Sequence, residues 1–110
     1  MLRHARDCAR AYRAAETAVS KALSPLALTT TRCLVLEALD TELVTGASIA
    51  DLAAFLGLHR TSAAAVIDHL AGVNWVSRSG DARDARKTTI RITGVGRDRL
   101  AEARRLLGEA

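Results

Sequence analysis

Residues 48–93 read SIADLAAFLGLHRTSAAAVIDHLAGVNWVSRSGDARDARKTTIRIT, and the order of signals in this stretch decides the fold. Ser48-Ile49-Ala50-Asp51 has the form of a capping box, with Asp in place of the usual Glu or Gln, so a helix starts at Ser48. Leu52, Ala53, Phe55 and Leu56 supply its inner face, and Gly57 suits the left-handed position just past its end. A second helix follows after a short turn, from His59 or Arg60 to Val73. Ala63, Val66, Ile67 and Leu70 face inward, leaving His59, Arg60, Thr61, Ser62, Ala65 and His69 outside. Asn74, which tolerates left-handed backbone, ends it.

Trp75–Arg78 and Thr88–Ile92 then alternate as strands do, and the segment between them contains Gly80 and no large apolar side chain. The hairpin so formed carries Arg83, Arg86 and Lys87 on its loop. From Arg78 to Arg91 there are five basic and two acidic residues, a local basic stripe. Two helices joined by a tight turn and followed at once by a charged hairpin form a winged helix, whose usual partner is double-stranded DNA.

Outward from this stretch the chain is helical. Leu2, Ala5, Cys8, Ala9, Tyr12, Ala15, Val19, Ala22 and Leu23 recur at three- and four-residue steps, which predicts an amphipathic helix ended by Ser24-Pro25. Another helix begins at Thr29–Thr31, one of which caps it. It presents Cys33, Leu34, Val35, Leu36, Ala38 and Leu39 as apolar and stops near Asp40, and 41–47 is a loop. Thr93 caps a last helix with Leu100, Ala103, Leu106 and Leu107 on one face.

At 110 residues the chain is one domain. The aromatics are Tyr12, Phe55 and Trp75 only, and an alanine-rich, aromatic-poor core suits closely packed helices. Sixteen Lys and Arg against 12 Asp and Glu give a net charge of +4, consistent either with phosphate contacts or with an ordinary solvated surface. No apolar run reaches the ~18 residues of a membrane span. Asp7, Arg10, Arg13 and Glu16 interrupt any signal-peptide core, so the expected location is cytoplasmic. Cys8 and Cys33 fit no metal-ligand spacing and are expected as thiols. Three dispersed His and no Gly-rich phosphate loop offer no catalytic constellation, metal site or cofactor site, so an enzyme is not expected.

The chain resembles the MarR family of bacterial winged-helix transcription regulators over nearly its whole length. The resemblance is carried by Ile49-Ala50-Asp51-Leu52-Ala53-Ala54-Phe55-Leu56-Gly57, Arg60-Thr61-Ser62, Ile67-Asp68-His69-Leu70 and Trp75-Val76-Ser77-Arg78. The wing run Asp84-Ala85-Arg86 with Ile92-Thr93 and Gly96 completes it. It implies a mainly α fold with a small β-hairpin: a winged helix-turn-helix lobe (29–93) flanked by N- and C-terminal dimerisation helices (1–24 and 94–110). It implies a homodimer, a fourth helix in the major groove of a pseudo-palindromic site and a wing arginine in the adjacent minor groove. It further implies repression relieved by a small lipophilic or phenolic effector held between the dimer region and the DNA-binding lobe.

The chain departs from the family at several places. Asn74 stands where Gly is usual, Ala64-Ala65 where a polar or basic pair is common, and His59 where Asp or Ser often caps the fourth helix. The C-terminal helix is short for the family's dimer interface.

The candidate DNA contacts are therefore Arg60, Thr61, Ser62, His69, Arg83, Asp84, Arg86 and Lys87. Arg86 suits the narrow, electronegative minor groove, with Asp84 holding its fork. Arg83 and Lys87 suit phosphate. Arg60 can read guanine, and the hydroxyls of Thr61 and Ser62 can meet phosphate, the alternative being that one of the two caps the helix. His59 and His69 have a phosphate or base-edge contact as one reading and plain exposure as the other. Two further readings stay open: a winged-helix protein-interaction module with weak or no DNA binding, and a peroxide-sensing regulator using Cys8. Organic-hydroperoxide sensors of the family carry a reactive Cys in the first helix with Tyr four residues on, as Cys8 and Tyr12 are placed. Thr29-Thr30-Thr31 stands where their second tyrosine would be. The alternative for Cys8 is a small buried apolar thiol.

Overall fold

The computed structural model describes residues 2–80 and 88–108, and for residues 2–9 and 12 the backbone alone. Helix α1 (Leu2–Leu23) runs into a 3-10 turn (Ser24–Leu26). Helices α2 (Thr30–Thr41), α3 (Ile49–Leu56) and α4 (Arg60–Gly72) follow, then strands β1 (Val76–Ser79) and β2 (Thr89–Ile92), and α5 (Gly94–Leu106). The architecture is mainly α with one antiparallel hairpin, in the register Val76↔Ile92, Ser77↔Arg91, Arg78↔Ile90 and Ser79↔Thr89.

Local sequence sets most of these boundaries. The Thr29 side chain accepts the backbone N–H of Arg32 at the start of α2. Ser48 and Asp51 form the reciprocal capping box at the start of α3: the Asp51 N–H donates to Ser48 Oγ at 3.0 Å, and the Ser48 N–H donates to Asp51 Oδ2 at 3.1 Å. Such a cap contributes about 1 kcal/mol. Gly57, at φ 67°, turns the chain out of α3. Asn74, at φ 64°, does the same after α4, while the Trp75 N–H closes back on the Leu70 carbonyl at 2.9 Å.

The run Thr93-x-x-Gly96 joins three elements. Thr93 accepts the Gly96 N–H at 3.0 Å, capping α5, and its hydroxyl donates to the Asn74 carbonyl at 2.7 Å. Its own N–H donates to the Trp75 carbonyl at 3.0 Å. Gly96 lies directly against that same carbonyl, where a side chain would collide.

The core is a single cluster. Leu36 and Leu39 from α2, Leu52 from α3, Ile67 and Leu70 from α4, Val76 and Ile90 from the hairpin and Leu100 from α5 meet in it, each almost fully buried. Each such side chain contributes roughly 1.5–3 kcal/mol by leaving water.

Three apolar residues expected inside lie outside: Leu34 is 45% exposed, Phe55 51% and Leu106 41%. Helical geometry accounts for each. At 100° per residue, Leu52, Ala53 and Leu56 of α3 share one face while Phe55 points about 110° from its centre. Leu34 lies about 140° from the centre of the buried face of α2 by the same count. Leu106 of α5 points about 90° from the buried face of Gly96, Leu100 and Ala103, while Leu107, the next residue, packs partly against the core. One pairing expected as loop is strand-like: Ala47 bridges Ile90, donating to its carbonyl at 3.0 Å and accepting its N–H at 2.7 Å. Alternation cannot reveal so short a pairing. No single helix among the described residues is long and apolar enough to cross a membrane.

Candidate nucleic-acid interface

Helix α4 divides cleanly by side. Ala63, Ile67 and Leu70 are buried, and Val66 packs partly against the core. This fixes the rotation of the helix and leaves Arg60, Thr61, Ser62, Ala65 and Asp68 exposed, with His69 and Ala64 half-buried. Arg60, Thr61 and Ser62 form the first turn. The residue before them, His59, makes no side-chain cap, and neither Thr61 nor Ser62 takes that role. The first backbone N–H groups of α4 are therefore not covered by a side chain, a geometry that suits an approaching phosphate. His69 sits nine residues beyond Arg60, about 13 Å along the axis, and so belongs to a different part of the surface.

One pair at this surface joins residues that no local sequence pattern connects. Asp68, on the exposed side of α4, accepts from Arg78 Nη1 of β1 at 2.6 Å. The contact ties α4 to the first strand of the hairpin. Both residues stood in the family motifs, but ten positions apart in sequence no local rule joins them. Arg91 of β2 donates to Ser79 Oγ of β1 at 3.3 Å, so the outer face of the hairpin is polar and cross-linked.

The wing residues Arg83, Asp84, Arg86 and Lys87 lie outside the described residues, as do the side chains of Cys8 and Tyr12. Cys33 is buried in α2, at 8% exposure. Among the described residues no three His, Cys, Asp or Glu gather as a metal cluster.

Two helices joined by a tight turn, the second with a free polar side, followed by an antiparallel hairpin packed on it: this is a winged helix-turn-helix. The sequence profile of the MarR family matches residues 28–88, more than half the chain, and the chain belongs to that family. No curated protein sequence matches. Among solved structures, BpsR of Bordetella bronchiseptica superposes with a TM-score of 0.85 at 22% identity, over 96% of this chain and 79% of that one. BldR of Sulfolobus solfataricus superposes at 0.80 with 27% identity, over 96% and 75%. A cysteine variant of MarR from E. coli, solved with operator DNA, gives 0.82 at 20% identity, over 94% and 73%. The fold is that of the MarR-family transcription regulators.

Proposed function

We propose that this protein is a dimeric, sequence-specific DNA-binding transcription regulator, a repressor released by a small lipophilic or phenolic effector. The observation that carries the reading is the first turn of α4. Arg60, Thr61 and Ser62 stand exposed over an uncapped helix start, and the helix is rotated by its buried face so that they point outward. That is the arrangement by which a recognition helix meets DNA. The similar E. coli MarR structure holds operator DNA, and BpsR is described as regulated in its DNA binding by 6-hydroxynicotinic acid.

The flanking helices support dimerisation. In the single chain Ala11, Ala14, Ala15 and Ala18 of α1 are exposed and so are Val95 and Leu106 of α5, apolar faces that a second copy would cover. A cavity of about 370 Å³ lined by Ser20, Ser24, Ala27, Leu28 and Thr29, where α1 turns into the lobe, has the size to take a small effector.

The test is fluorescence anisotropy on random duplex DNA at two salt concentrations, with Arg86→Ala in parallel. Steep salt dependence in the wild type and weaker binding by Arg86→Ala are expected. No binding at low salt would leave the second reading, a protein-interaction module. The feature favouring that reading is the free face of α4, where the exposed Ala65 and half-buried Ala64 offer no group for hydrogen bonding to a base.

A further inference from the structure

A second cavity, of about 370 Å³, lies at the foot of the wing, where the loop leading into α3 passes β2. Its walls include Thr45 and Ser48 on the loop side and Thr88, Thr89 and Arg91 on the strand side. Its donors, four hydroxyl groups and one guanidinium, suit an oxyanion, and one carboxylate, Asp51, shares the lining.

The strand side is held in place by the fold. Ile90 is buried and bridged to Ala47, so its neighbours Thr89 and Arg91 alternate to the opposite side of β2, over the loop. The loop can pass so close only because residue 46 is glycine at φ 105°. A Cβ there would stand 3.2 Å from Arg91 Cγ and nearer still to the Thr89 methyl. Ser79 Oγ takes one N–H of the Arg91 guanidinium, which steadies the arginine across the hairpin. Asp51 also lines the cavity as an acid: its Oδ2 accepts the Ser48 N–H at 3.1 Å within the capping box, which holds the carboxylate at the start of α3 without removing its charge.

Position selects the anion. Thr88 directly precedes β2 on the side of the wing, so the cavity opens on the wing side of the fold, beside the start of α3. In a helix-turn-helix the first of the two helices crosses the nucleic-acid backbone while the second enters the groove. We propose that this cavity seats one backbone phosphate of the bound duplex, with Arg91 as its charge partner and the Thr45, Thr88 and Thr89 hydroxyls as donors. The assignment rests on the DNA-binding reading above and adds to it a contact outside both α4 and the wing loop.

The test uses the full chain and duplexes in which single phosphates are replaced, one position at a time, by neutral methylphosphonates. Arg91→Gln is expected to weaken binding by the same factor on all sequences and to make the salt slope shallower by about one, with Arg91→Lys restoring the slope. One methylphosphonate position should weaken the wild type and leave Arg91→Gln unaffected. A wild-type slope in Arg91→Gln, or no methylphosphonate that separates the two proteins, would overturn the assignment while DNA binding by the wild type stood. Failure of the wild type to bind any duplex at low salt would overturn both readings. Millimolar inorganic phosphate without DNA supplies the last arm. Saturable shifts of the Gly46 and Arg91 amide resonances, together with an unchanged salt slope in Arg91→Gln, would assign the seat to free phosphate and overturn the DNA contact.

Discussion

Arg78 of β1 and Asp68 of α4 are joined by an ion pair of 2.6 Å that ties the hairpin to the exposed side of that helix. Asp68 is an acid on the surface proposed to face a polyanion, and Arg78 both neutralises it and fixes where it points. The pair is open to solvent, the two side chains being 43% and 67% exposed, so its contribution to stability is small. Arg78→Ala is expected to cost less than about 1 kcal/mol in urea denaturation. It should nonetheless weaken DNA binding, because it leaves the Asp68 carboxylate unmatched, and Asp68→Ala in the same chain should recover part of the loss. Equal affinity of the wild type and Arg78→Ala would show that this side of α4 does not approach DNA.

Gly96 is the position least able to accept a side chain. A Cβ would press on the Trp75 carbonyl oxygen and stand 2.8 Å from Ile92 Cγ1, at the point where α5 meets the hairpin. Backbone cannot move aside there without breaking the Thr93 bonds to Asn74 and Trp75. Gly96→Ala is expected to destabilise by about 1–3 kcal/mol or more, read as a lower midpoint in chemical denaturation. A midpoint equal to wild type would mean that α5 is free to shift.

Ile67 and Phe55 separate burial from hydrophobicity. Ile67 has 0% exposure and Phe55 51%. Ile67→Ala should cost about 2–5 kcal/mol through lost burial and the cavity left behind. Phe55→Ser, the larger chemical change, should cost under about 1 kcal/mol, since surface substitutions usually shift stability little. A Phe55 variant as unstable as the Ile67 variant would place Phe55 in a contact, and analytical ultracentrifugation of both proteins would tell whether that contact is a second copy.

Cys8 carries the alternative reading of a peroxide-sensing regulator. If its thiolate senses peroxide, treatment with an organic hydroperoxide should release DNA from the wild type and not from Cys8→Ser. Release from both proteins would remove the thiol from the mechanism.

The amino-acid sequence by itself determined helices α1 to α5, the hairpin and the residues that cap or turn the chain between them. Thr29, Ser48 with Asp51, Gly57, Asn74 and Thr93 each act within a few residues on the backbone beside them, so their effects are readable without a fold. Helical period likewise sufficed for the buried side of α4, where Ala63, Ile67 and Leu70 stand inward. Arg60, Thr61 and Ser62 were legible as an exposed first turn for the same reason. Only the tertiary structure decided which apolar residues stay outside, because a short helix such as α3 buries one narrow face and Phe55 lies off its edge. Only the tertiary structure, too, brought Asp68 to Arg78, Ala47 to Ile90, and Arg97 and Arg104 of α5 to Asp40 of α2 at 3.4 and 3.5 Å. These contacts join residues from separate elements. Their distances depend on how those elements pack, and no local propensity encodes that.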